Sequence, residues 1–356
     1  MKDFFKKEKP LQGISGWGGG ATGLRMAGGM SPYIDATGGT KTTPGDGYVY
    51  HYMTGGNFSV ASQGVGPDGI IDICLVGGGG GAGADLGGGG GAGGFRITTV
   101  DIATLGPGNY ACSVGSGGPG GGMHGPNASR PRAQNGTPSY FTLTPTTKIE
   151  VGGGGGGGGM NGAGGDPVVP NTEHGYPGVP YPHPTASTPH PNTTVYPGSG
   201  GGAKSNRGPG GAGAGPTFNS HPGNKGRDYE DAGIRRGGGG GGAGGGGPDT
   251  STSGDGGSGK QLPWALPTWG WGENDDSYTP GGYGWFAGGG GGGSDPAEFC
   301  PNSRMGRAGG GRGGCPTVPY GNGAARTGSG GGARGNPSSG SGTGGSGVIM
   351  IRYPAA

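Results

Sequence analysis

The chain has 356 residues, 108 of them Gly and 32 Pro, and its 28% apolar content leaves room for only a small conventional core. A formal net charge of +2, from 23 basic and 21 acidic residues, excludes the strong fields that draw a chain to nucleic acid or a membrane surface. Four cysteines (Cys74, Cys112, Cys300 and Cys315) form neither a disulfide scaffold nor a CxxC zinc site. They read mostly as free thiols, with a Cys300 to Cys315 bridge left open.

Residues 1–47 read as a docking arm. Phe4, Phe5, Lys6, Lys7, Lys9 and Leu11 form a basic, aromatic head, followed by a Gly-rich tract around Trp17. The head is too short and too mixed in charge for an amphipathic membrane anchor, and it contains no apolar secretory core, so the product is expected in the cytosol of the cell that makes it. From residue 48, Tyr48, Tyr50 and Tyr52 alternate with Val49, His51 and Met53; Gly55 and Gly56 and a run at 57–61 follow, which predicts a hairpin. Further strands are predicted at 69–76 (GIIDICLV), 95–102 (FRITTVDI), 109–114 (NYACSV), 140–144 (YFTLT), 148–151 (KIEV) and 347–353 (GVIMIRY). No helical period of useful length is visible. These short runs fit a mainly β fold, a small antiparallel sandwich or jelly-roll-like framework over 48–151, completed by the returning strand in 347–356.

Residues 152–346 then form one Gly-rich insertion. Glycine loses more backbone entropy on ordering than any other residue and buries no side chain, so the insertion is either disordered or held by backbone contacts. Irregular inserts carrying many of the five Trp and fourteen Tyr argue against a flexible linker. The absence of a Gly-X-Y period argues against collagen. Threads in the polyproline II conformation have three residues per turn and no internal hydrogen bonds, and without Cβ atoms they can pack closely and bond laterally. The expectation is a stiff polyglycine II-like slab with exposed loops.

The order of strand, VGGGGGGAG, GGGGGAGGFR, strand, GNYACSVGSGG, IEVGGGGGGGG and a final GGSGVIMIRYP resembles the Gly-rich domain of bacteriophage tail fibres and related virion proteins; the matching pieces frame roughly residues 46–354. The opening FFKKEKPLQGISGWGGGA is similar to short leaders on structural proteins of cyanobacterial phages. In style, the interior also resembles phage adhesins in which a polyglycine II lattice carries host-gripping loops. The resemblance implies a virion protein of the tail or tail fibre that docks on other virion proteins through its arm. It also implies assembly as a homo-oligomer and contact with a host-surface polysaccharide or outer-membrane protein. A purely structural or capsid-decorating role is the alternative.

Two inserts carry the candidate receptor-binding residues. His174, Tyr176, Tyr181, His183, His190 and Tyr196 lie in a Pro-rich stretch at 166–197, where prolines hold an extended platform; the alternative is a rigid loop without a receptor, and no metal site is supported by the spacing of the histidines. Trp264, Trp269, Trp271, Tyr278, Tyr283 and Trp285, with Asp275 and Asp276 nearby, suit sugar stacking at 261–286; the alternative is a miniature core beneath the loop. By the same resemblance a third insert, at 294–320, is expected to share the binding role. GDGGSGKQ at 254–261 misses the Ser or Thr of a phosphate-binding loop, and two isolated RGG triplets do not make an RNA-binding tail. No catalytic grouping is found, so neither enzyme activity, cofactor nor nucleic-acid partner is expected.

Overall fold

The computed structural model describes residues 31–122, 133–159, 198–202, 235–246, 254–265, 270–273, 283–295, 306–335 and 340–356. Its strands, in chain order, are β1 Ile34–Thr37, β2 Thr40–Thr42, β3 Tyr48–Met53, β4 Gly56–Gln63, β5 Ile70–Val76, β6 Phe95–Asp101, β7 Gly108–Ser113, β8 Ser139–Thr144 and β9 Thr147–Val151. Four two-residue and one long strand follow: β10 Arg235–Arg236, β11 Lys260–Gln261, β12 Trp285–Phe286, β13 Ser294–Asp295 and β14 Val348–Pro354. Helix among the described residues amounts to one turn, α1 Ile102–Leu105, capped by the Asp101 carboxylate, and a 3-10 turn at Gly66–Gly69.

The fold is mainly β. Two five-stranded antiparallel sheets, ordered β1-β4-β7-β8-β9 and β2-β3-β14-β5-β6, pack face to face. Between them lie Phe58, Val60, Tyr110, Phe141, Ile149 and Val151 from the first sheet and Met53, Ile71, Ile73, Leu75, Ile349 and Ile351 from the second. The alternation of apolar and polar residues along β1 and β7 places one face of each in this core. Strand β14 instead reads VIMI without alternation because it is central, paired with β3 on one side and β5 on the other and buried on both faces.

The hairpin predicted from β3 to β4 is not formed. Strand β3 pairs with β2 and β14, whereas β4 pairs with β1 and β7 in the opposite sheet. Gly55 and Gly56, at φ 130° and 89°, turn the chain from one sheet to the other. A hairpin would have exposed one face of β3, which is buried from Val49 to Met53. The framework also starts earlier than residue 48, since β1 and β2 lie within the stretch read as an arm. Phe4, Phe5, Lys6, Lys7, Lys9, Leu11 and Trp17 lie outside the described residues.

His51 crosses the core. Its Nδ1 donates to the Gly38 carbonyl at 2.7 Å, and its Nε2 lies 3.1 Å from the Tyr353 hydroxyl, so the neutral ring ties the β1–β2 turn to the last strand. Burial is the main reason its pKa falls below the ordinary value.

Six framework strands run directly into polyglycine threads at one common level: β5 into 77–83, 87–94 into β6, β7 into 115–121, 133–137 into β8, β9 into 152–158 and 340–347 into β14. The slab therefore includes segments within 48–151 as well as the insertion. Thread 77–83 shows how the slab is bonded. Gly77, Gly80 and Gly83 donate to Gly94, Gly91 and Gly88; Gly78 and Gly81 donate to Thr137 and Gln134; Gly79 and Ala82 donate to Gly345 and Gly342. Its carbonyls accept in turn from Gly154 and Gly157, from Gly118 and Gly121, and from Gly331. Each direction recurs every third residue, as three residues per turn requires, and six neighbouring threads surround this one. Donors and acceptors are satisfied without a side chain.

The close approach is what demands glycine. A Cβ on Gly80 would overlap the Gly155 carbonyl group, and one on Gly330 would overlap that of Gly90.

Candidate functional site

The lattice has two ends. The near end joins the sandwich, and the far end lies about 20 Å away for a seven-residue thread at ~3.1 Å per residue. Positions of the inserts follow from the hydrogen bonds at their flanks. Gly155 and Gly158 donate to Ser199 and Gly202, so threads 152–158 and 198–202 run parallel; the chain leaves the far end after Gly158 and re-enters near the sandwich at Gly198. Gly89 and Ala92 donate to Gly238 and Gly241, which puts Gly237 at the far end, so the chain between 202 and 237 leaves and returns there. Chain reversals at Asp85–Leu86, both with positive φ, and at 315–318 are also at the far end.

The far end is braced by short-range contacts. Cys315 and Val318 exchange backbone hydrogen bonds at 3.0 and 3.2 Å, and Cys315 is held in a disulfide. The Arg334 guanidinium sits 5.4 Å from the centre of the Tyr320 ring, and the Arg334 carbonyl accepts from Leu86 N at 3.0 Å. Cys74 and Cys112 are free and buried, and burial raises both thiols, Cys112 to about 12. Cys300 is outside the described residues.

The described residues of the aromatic insert sit elsewhere, at the near end, where β11 pairs with β12. Trp264 and Trp271, expected to face a receptor, are only 8% and 9% exposed. They cover the outer face of the second sheet, with Trp264 6.0 Å from Tyr50 and Trp271 4.9 Å from Tyr52 between ring centres; Leu262, Phe286 and Met350 complete this second core. For these two residues the miniature core replaces the sugar platform, because the alternation of Tyr50 and Tyr52 gives β3 a second apolar face that has to be covered. Arg352 extends the stack. Its guanidinium lies 4.6 Å from the Tyr48 ring centre and 5.1 Å from that of Trp264, and its Nε donates to Asp72 Oδ2 at 2.8 Å. The Tyr50 hydroxyl donates to Asp46 Oδ2 at 2.6 Å, and burial, with this acceptor, pushes its pKa up to about 12.

Tyr283 is 47% exposed and Trp285 half-buried, so these two keep accessible ring surface. Trp269 and Tyr278, with Asp275 and Asp276, lie outside the described residues, as do His174, Tyr176, Tyr181, His183, His190 and Tyr196. Among the described residues no group of three His, Cys, Asp or Glu side chains is placed to hold a metal ion, and no helix is long and apolar enough to cross a membrane. Sequence reasoning missed the Arg352, Tyr48 and Trp264 stack. The tyrosine alternation on β3 was the signal for it.

A β-sandwich whose strands continue into a hydrogen-bonded polyglycine lattice defines a glycine-rich, mainly β domain. Residues 54–262 match the family described as a glycine-rich domain, and the chain belongs to that family. The match runs from two residues before β4 to Leu262, at the start of the aromatic insert. No curated protein matches the chain.

Proposed function

We propose that this protein is a structural component of a bacteriophage particle, most concretely of the tail or its fibres, and that it attaches the particle to the host surface. The observation that carries this reading is the far end of the lattice, where segments separated widely in sequence are anchored at one level, away from the sandwich. A surface of this kind tolerates change in its inserts, because the threads beneath are held by backbone bonds that do not depend on the inserts' side chains. Weak contacts from each copy, multiplied over an oligomer, give reversible adhesion. The arm at the amino terminus docks the protein on other virion proteins.

One observation favours a second reading, a spacer or capsid ornament without a receptor: Trp264 and Trp271 fasten lattice to sandwich and offer no free face. Immunogold electron microscopy of intact virions, with an antibody against the 166–197 insert, separates the two. Label at fibre or tail tips supports attachment, and label on the head makes the protein a decoration. Deleting residues 2–11 is expected to leave folding intact and to abolish incorporation into particles; normal incorporation would remove the docking arm.

A further inference from the structure

The described part of the aromatic insert has two faces. Exposure alternates along both of its segments: Leu262 and Trp264 are buried while Gln261 and Pro263 are exposed, and Gly284 and Phe286 are buried while Tyr283 is exposed and Trp285 half-buried. The register agrees. Trp285 stands opposite Gln261 of β11 and, on its other side, exchanges backbone hydrogen bonds with Glu273 at 2.9 and 3.2 Å, so Gln261, Trp285 and Glu273 form one row. Directly paired residues project to the same face of a sheet. One face, with Leu262, Trp264 and Phe286, closes the second core; the other, with Gln261, Glu273, Tyr283 and Trp285, is turned to solvent.

That outer face combines an aromatic surface with polar groups on both sides of it. Tyr283 is the one exposed aromatic side chain among the described residues, and it belongs to neither core. The Gln261 side chain is fixed beside it, because its Nε2 donates to the Tyr283 carbonyl at 3.3 Å. The amide keeps its Oε1 acceptor and a second N–H for a ligand. Glu273 is exposed and adds carboxylate oxygens as acceptors. Because Gln261 and Glu273 both pair with Trp285, each is a diagonal neighbour of Tyr283, at about 7–8 Å, within reach of one ligand lying on the ring.

We propose that this face binds a neutral pyranose residue of a polysaccharide. The apolar C–H face of the sugar stacks on Tyr283 beside Trp285, and its hydroxyls donate to Glu273 and pair with the Gln261 amide. Glu273 is the only charged group of the set, so like charge disfavours an acidic sugar. This reading rests on the proposed attachment to a host surface, and it places the sugar contact on the side of the insert opposite Trp264.

The test is titration of the purified full chain with methyl β-D-galactopyranoside and methyl β-D-glucopyranoside, followed by the ring resonances of Tyr283 and the indole N–H of Trp285. The corresponding uronates and glycerol are the controls. Saturable binding of at least one glycoside near about 1–10 mM is expected, with shifts at Tyr283 and Trp285 and none at Trp264. The uronate should be weaker by about tenfold, and glycerol, which has hydroxyls but no ring face, should not saturate. Tyr283→Ala should weaken the glycoside by about tenfold, and the fold stays intact because this side chain packs in neither core. Glu273→Gln should bring the uronate level with the glycoside. No saturation by either glycoside up to about 100 mM overturns the proposal, as does indifference to Tyr283→Ala or a uronate that binds the parent as well as its glycoside. A failure here leaves the immunogold result standing, whereas glycoside binding with label on the head keeps the sugar site and removes attachment.

Discussion

The sandwich and the lattice solve one problem, backbone order, by opposite means. In the sandwich each strand bonds to at most two neighbours in one plane, and side chains between the sheets supply the cohesion. In the lattice thread 77–83 bonds to six neighbours in all directions, and there is almost no side chain to bury. Each hydrogen bond contributes only about 0.5–1.5 kcal/mol net, set against glycine's large ordering entropy. Such a slab has little reason to form alone. It forms here because six strands of the sandwich hold its threads in place at one end.

That dependence can be broken most severely by truncation. Removing residues 348–356 takes out the strand between β3 and β5 and opens the second sheet at its centre. The expected outcome is loss of soluble folded protein, measured by circular dichroism and size exclusion; a folded truncated chain would show that the lattice holds itself together.

Next in size is Gly80→Val, where the new side chain meets the Gly155 carbonyl group. Overpacking costs about 1–3 kcal/mol where a core can relax, and a thread bonded on all sides relaxes little, so a loss above about 3 kcal/mol is expected. Denaturant unfolding gives the loss, and faster hydrogen exchange at amides 78–83 locates it. Gly108→Val is the matching control at the start of β7, where a Cβ meets nothing within 4 Å; a change within about 0.5 kcal/mol is expected. Equal costs at the two sites would mean that close approach is not what selects glycine.

Trp271→Ala tests the seam between the two regions. Loss of a buried Trp costs about 3–5 kcal/mol, and this ring, at the rim of its cluster, belongs at the lower end. Unfolding should then lose cooperativity between sandwich and lattice; a change below about 1 kcal/mol would return the aromatic insert to the surface.

The smallest effect is that of pH on the framework alone. Burial raises the Glu150 carboxyl to about 7 from 4.5, so the folded state holds this proton longer than the unfolded chain. Its contribution is present below the unfolded value and is lost as pH rises from 4.5 to about 7. His51 acts in the opposite direction, because its lowered folded pKa gives a contribution present above 6.5 and lost as pH falls below it. Glu150→Gln should therefore raise the melting temperature relative to the parent at pH 8 more than at pH 5. An equal difference at both values would show that Glu150 does not titrate in this window.

Much of the framework was legible. The strand predicted at 69–76 is β5 and that at 347–353 is β14, each within a residue or so, because β-branched runs bounded by Gly mark their own ends. The partner of β3 was not legible, since Gly55 and Gly56 serve a hairpin turn and a crossing between sheets equally well. The roles of Trp264 and Trp271 were not legible either. Aromatic rings near carboxylates suit a sugar or a core, and only the position of β11 and β12 beside the second sheet distinguishes them.

The amino-acid sequence by itself determined that this chain would be mainly β, that its long glycine runs could be ordered only by backbone bonds, and that its last strand would return to the first ones. These follow from side-chain period, glycine entropy and the lack of any Cβ. Tertiary structure alone decided which threads are neighbours, that segments at 77–94, 115–121 and 133–137 belong to the slab, and which inserts reach its far end. A run of glycines carries no address in its side chains. Each thread takes its neighbours from the strand to which it is joined.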